Sequence, residues 1–183
     1  MPTEDLTALP APAFAGGTRA ITTTPVVGSP AREYPEVFIP GDEDLEDGEL
    51  RLVHHSNLQR IYGLDVAVEA LALIDPDELP HRLDVYGDGP FRAQIEAAIA
   101  RTDTAARVHL NGRVPMDDLP ALLAGSDIGL VPSRPEPYLQ YSLSTKLLEY
   151  AAMGVPIIAS DLATFRAHFS DEAIRFVRGG DPA

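Results

Sequence analysis

Cysteine is absent from all 183 residues. Disulfides and thiolate metal sites are thereby excluded, and the composition suits a reducing cytosol. Basic residues are scarce too: 14 Lys and Arg stand against 28 Asp and Glu, a formal charge of −14. Such an excess of acid argues against nonspecific binding to nucleic acid or to an anionic membrane surface. It still allows an anionic ligand in a locally basic pocket. No apolar run approaches the length needed to span a bilayer. The amino terminus carries Glu4 and Asp5 where a secretory leader would have a basic region. These absences lead to the expectation of a soluble, cytoplasmic protein.

What is present divides into two parts. Residues 1–49 are rich in Pro, Gly, Thr and Ala and end in the acidic run Gly41-Asp42-Glu43-Asp44-Leu45-Glu46-Asp47-Gly48-Glu49. That run repels itself and has no apolar period, so the segment reads as an irregular leader or linker. Within it residues 20–27 would pair as one short strand, but Pro25 argues for an edge strand or for no strand at all. From residue 50 to 183 the pattern is regular. Strands are expected over 50–54, 82–86, 127–133, 155–161 and 174–177, with a strand and turn over 107–115, and helices over 64–74, 91–101, 116–124 and 163–169, with a further short helix inside 142–156. This alternation predicts an α/β domain with a doubly wound, parallel, Rossmann-like sheet.

In such a domain the turns after the strands are where a ligand meets strand ends and helix N-termini. The turn Gly87-Asp88-Gly89-Pro90 has glycines for a tight bend and close backbone approach, with Pro90 suited to a first helical position. His54 and His55 invite a metal reading, but adjacent residues on a strand point to opposite faces and no third ligand is suitably spaced. No metal is expected.

The chain is organised around residues 142–156, where Ser142, Ser144, Thr145 and Lys146 crowd the entrance of a short apolar helix that stops at Gly154. Unpaired N–H groups at a helix start favour an anion. The hydroxyls would donate to a phosphate or merely cap the helix. Lys146 is the oddity, because the helix dipole opposes a first-turn cation by roughly 0.3–1 kcal/mol when exposed. Its compensating partner would be Glu149, three residues on, or a bound diphosphate.

The run Lys146-Leu147-Leu148-Glu149-Tyr150-Ala151-Ala152-Met153-Gly154-Val155-Pro156-Ile157-Ile158-Ala159-Ser160-Asp161 resembles the C-terminal, donor-binding domain of retaining GT-B glycosyltransferases of the family 4 type. The resemblance extends over about 50–183. It implies a single GT-B half-domain that stops short of its usual C-terminal helices, with 1–49 standing where the crossing from an acceptor domain would lie. It also implies that Glu149 holds the ribose of a nucleotide-sugar, and that the turn before it, Ser142, Ser144 and Thr145, cradles the diphosphate beside Lys146. The Gly87 and Gly89 turn would lie beside the nucleotide, and the backbone at Val114 would meet the base. Members often have an Arg…Lys pair in the loop after the first strand. Here Asn57 and Tyr62 replace that pair, His55 stands at a glycine site, and Arg60 is the remaining cation. Tyr141 occupies the place of a glutamate that engages the donor sugar.

The reading that follows is a donor-binding domain for a UDP-, GDP- or ADP-sugar, transferring with retention to an unknown acceptor and needing an acceptor domain, supplied separately. It calls for no cofactor beyond the donor, no metal and no catalytic side chain from this chain. The alternative is a non-catalytic nucleotide-binding remnant or interaction module that keeps the fold.

Overall fold

A computed structural model describes residues 48–182. The leader predicted over 1–49, with its strand at 20–27, lies outside the described residues apart from Gly48 and Glu49. Six parallel strands form one sheet: β1 (Leu50–His55), β2 (His81–Tyr86), β3 (Val108–Gly112), β4 (Ile128–Val131), β5 (Ile157–Ser160) and β6 (Arg175–Val177). Their order is β3-β2-β1-β4-β5-β6, all pairs parallel. The doubly wound α/β expectation therefore holds. Chain order reverses between β1 and β4, and the carboxyl ends of these two strands flank the crevice where such sheets take ligands.

Burial follows position in the sheet. All four residues of central β4 are buried, as a strand covered on both faces requires. The edge strand β6 is short and has Arg175 and Val177 exposed, which limits pairing with other chains. Helices α1 (Leu64–Leu71) and α2 (Arg92–Thr102) cover one face through Leu64, Val68, Ile95 and Ile99. Helices α3 (Leu119–Ala124) and α4 (Thr145–Met153) cover the other, where Leu123, Leu147 and Tyr150 join Val53 and Val131 in a second core. A four-residue helix, α5 (Ala163–Arg166), brings Phe165 to the same core.

Several boundaries differ from the sequence expectation: α5 ends at Arg166 instead of 169, and β4 and β5 are shorter than the runs 127–133 and 155–161. Helix α1 ends at Leu71 instead of 74, because Leu73 and Ile74 donate to carbonyls three residues back and tighten the last turn. Pro90 does not open α2: the Phe91 amide is engaged by the Leu58 carbonyl at 3.0 Å, and the helix begins at Arg92. Helix α3 starts at Leu119, which puts Pro120 in the first turn where its missing donor costs nothing.

Candidate functional site

Helix α4 is pinned to the sheet by Tyr150. This side chain is fully buried, and its hydroxyl donates to the Val53 carbonyl on β1 at 3.3 Å. Anchored there, α4 brings its N-terminus to the carboxyl end of β1. Ser144 is the N-cap residue, yet its side chain makes no capping bond. Among the described residues nothing accepts a hydrogen bond from the amides of Ser144, Thr145 or Lys146. The hydroxyl cluster therefore does not cap the helix, and its first-turn donors stay open, as an anion site requires.

Lys146 is buried, with 7% of its surface exposed. Its ammonium lies over the Tyr62 ring, 4.1 Å from the centroid. No described carboxylate comes within ion-pairing distance of it. Of the partners weighed from sequence, Glu149 does not pair with the ammonium, which lies against the Tyr62 ring instead. Burial pushes the Lys146 pKa down to about 8, with the Glu149 charge opposing that shift. A buried, unpaired ammonium at an uncapped helix N-terminus strongly favours an anion.

Glu149 lies one turn further along α4 and approaches His55, with Oε2 and Nε2 3.1 Å apart. Both atoms are buried and neither completes a properly angled hydrogen bond. Burial first, and the nearby Lys146 charge second, lower the His55 pKa to about 4, so the imidazole is neutral at pH 7. The contact is thus no ion pair, and Glu149 keeps hydrogen-bonding capacity for a ligand. His55 packs edge-on against the Tyr150 ring, 5.3 Å between centroids.

His54 faces the opposite way, as adjacency on a strand dictates. It is fully buried, with Nδ1 2.9 Å from the Leu130 carbonyl and Nε2 2.9 Å from the Ser56 hydroxyl. Desolvation, reinforced by Lys146, lowers its pKa to about 3. The neutral ring donates through Nδ1 and accepts at Nε2, tying the end of β1 to β4.

The remaining sequence candidates are distributed around this centre. Arg60 sits on the 3-10 turn Arg60–Tyr62 and is 61% exposed, paired with Glu136 at 2.6 Å. Gly87 and Gly89 give a close backbone approach, but it is to protein. A Cβ at Gly87 would lie 1.9 Å from the Ser56 carbonyl oxygen, and one at Gly89 2.4 Å from that of Leu58. Val114 follows β3 and is half-buried against the α3–α4 core, on the same face as α4. Ser142 follows another 3-10 turn, Pro137–Tyr141, in which Tyr141 is 90% exposed. Sequence reasoning missed the contacts of His55 with Glu149 and of Tyr62 with Lys146. Both residues were visible as departures from the resembling pattern, but their partners on α4 are distant in sequence.

Comparison with known proteins gives a consistent result. The family described as Glycosyl transferases group 1 matches residues 49–183. The 2-deoxystreptamine glucosyltransferase of Streptomyces kanamyceticus is 33% identical over 93 residues, covering 51% of this chain and 23% of that protein. The amylovoran biosynthesis glycosyltransferase AmsK of Erwinia amylovora is 29% identical over 128 residues, covering 69% of this chain and 31% of its own. The chain thus spans less than a third of the length of these curated relatives. Among solved structures, Anabaena Alr3699/HepE in complex with UDP-glucose superposes with a TM-score of 0.62 at 21% identity, over 73% of this chain and 36% of that one. At that identity the likeness speaks for the fold.

Proposed function

The chain belongs to the glycosyl transferases group 1 family, and from that membership we propose that the β1–α4 corner binds a nucleotide-sugar as the donor half of a retaining, family 4-type transferase. The observation that carries the reading is Lys146, a buried ammonium with no carboxylate partner among the described residues, at a helix mouth whose first amides have no acceptor among them. A sugar diphosphate supplies the missing charge. Glu149 on the same helix would accept hydrogen bonds from the ribose hydroxyls. The Alr3699/HepE complexes hold UDP and UDP-glucose, which makes UDP the first nucleotide to try, with GDP and ADP beside it.

In transfer, the bond between the anomeric carbon and the diphosphate oxygen breaks and negative charge grows on the departing oxygen. Lys146 and the amides of residues 144–146 would meet that charge, a stabilisation that increases toward the transition state. Arg60 would add to it by exchanging Glu136 for phosphate, an exposed pair that costs little to break. The reading asks for no metal, since these cations and amides are the groups that meet the diphosphate. Neutral His54 and His55 are given no acid or base role. The acceptor, and the side chains that act on it, would belong to a second domain encoded with this one or separately.

Calorimetric titration of the chain with UDP, GDP and ADP, repeated on Glu149→Ala and Lys146→Ala, tests the reading. One nucleotide bound by the folded wild type and weakened by both substitutions supports it. No binding by a folded chain refutes it, leaving a module that keeps the fold without the ligand.

A further inference from the structure

Lys146 carries a long flexible stem, and a buried ammonium held in place by nothing would have to be ordered each time a ligand bound. The Tyr62 ring supplies the hold. We infer that Tyr62 is a positioning residue, whose ring fixes the Lys146 ammonium at the mouth of α4 so that it meets the diphosphate already in place. The inference rests on the donor-site reading above and adds to it a side chain on a different element.

The backbone that carries Tyr62 is held by contacts that do not involve Lys146. Its turn is closed by the Tyr62 amide on the Gln59 carbonyl at 3.1 Å and by the Gly63 amide on that of Arg60 at 3.1 Å. The turn is tied across the crevice to the segment after β4. The Arg134 amide donates to the Ile61 carbonyl at 2.9 Å, and the Arg134 guanidinium pairs with Asp65 at 2.6 Å. Gly63 abuts the Pro132 carbonyl so closely that a Cβ would lie 2.0 Å from its oxygen. The ring is therefore presented by a braced turn.

After burial, the charge of the cation it holds is the next cause that lowers the titration of both His54 and His55 at the end of β1. Those imidazoles offer no negative charge. An aromatic face attracts the ammonium without neutralising it, unlike a carboxylate, which would compete with the ligand. Such a ring keeps Lys146 charged and open to an anion.

The test is a double-mutant cycle on the full chain, titrated with whichever of UDP, GDP and ADP the wild type binds. Tyr62→Phe keeps the ring and should bind within about twofold of wild type, whereas Tyr62→Leu should weaken binding by about fivefold or more. In a Lys146→Met background, Tyr62→Leu should cause no further loss, because the ring then has no cation to place. An equal loss in both backgrounds overturns the inference while the donor-site reading stands. Carbon–proton NMR of the Lys146 ε-methylene gives a readout that needs no nucleotide. Its protons should be shifted upfield by the ring in wild type and Tyr62→Phe, and unshifted in Tyr62→Leu. An ordinary wild-type shift overturns the contact itself. A shifted resonance in a chain that binds none of the three nucleotides locates the failure in the donor-site reading, and the positioning role falls with it.

Discussion

Gly129 on β4 and Tyr150 on α4 fit each other so closely that a Cβ at Gly129 would lie 2.6 Å from the tyrosine ring. The missing side chain is what lets α4 settle onto the sheet, and the Tyr150 hydroxyl then reaches Val53. Gly129→Ala should displace the ring and cost about 1–3 kcal/mol, as overpacking of a filled core does. Urea denaturation should show a lower midpoint with an unchanged slope. Because α4 carries Lys146 and Glu149, nucleotide affinity should fall in the same variant, measured under conditions where it remains folded. A Gly129→Ala chain as stable as wild type would mean that α4 is not seated as described.

Gly87 allows a second contrast, between a ligand role and a packing role. Its φ is +127° and its absent Cβ would strike the Ser56 carbonyl, whereas Gly112, at φ +76°, has open space around it. Gly112→Ala should cost about 1–2 kcal/mol for the left-handed backbone alone. Gly87→Ala should cost clearly more, with the loop after β1 forced away from the turn after β2. Thermal or urea unfolding of the two variants side by side decides it. A stable Gly87→Ala chain that had lost only nucleotide affinity would return this glycine to the ligand.

These glycines show where sequence reasoning reaches its limit. The alternation of strands and helices, the parallel winding and the stop of α4 at Gly154 follow from short-range periodicity and turn chemistry, and the structure reproduces them. The purpose of Gly87 was ambiguous, because a close approach to a phosphate and one to a neighbouring loop need the same residue. Lys146 was legible as an unusual cation, but its contact was not. Tyr62 lies on another loop, and only the β1–β4 reversal brings that loop to α4. His55 and Glu149 meet for the same reason. The Ser142, Ser144 and Thr145 cluster left capping and anion binding both open from sequence, and Ser144 makes no capping bond.

His54 makes a prediction at acid pH. Burial chiefly, and Lys146 secondarily, hold its pKa near 3 in the native chain against the ordinary 6.5. Below 6.5 the unfolded chain takes up a proton that the native chain refuses, so stability should fall as pH drops toward 3. His55, lowered to about 4, adds in the same direction. His54→Asn, which can still donate to the Leu130 carbonyl, should flatten the slope between pH 5 and 6.5 by up to one proton, roughly 1 kcal/mol per pH unit. That window lies above most carboxylate titrations. The check is the urea midpoint at several pH values in both proteins, and parallel curves would remove His54 from the account.

Lys146 works in the opposite pH range, and its effects on folding and on binding have opposite signs. Its native pKa near 8 lies below the unfolded value near 10.5. Between these values the unfolded chain binds more protons, so the stability of the free protein should rise with pH across that window. A bound diphosphate favours the charged ammonium and raises its pKa in the complex. Affinity should therefore be level up to about pH 8 and then fall, by at most about tenfold per pH unit for one proton. The terminal phosphate, with its second pKa of about 6, is already ionised throughout and adds no slope of its own. Lys146→Met should bind more weakly and lose the dependence. Calorimetry from pH 7 to 9, paired with urea unfolding over the same range, should show stability increasing as affinity declines. A flat wild-type affinity would separate the buried ammonium from the diphosphate and leave Tyr62 holding a cation with no ligand.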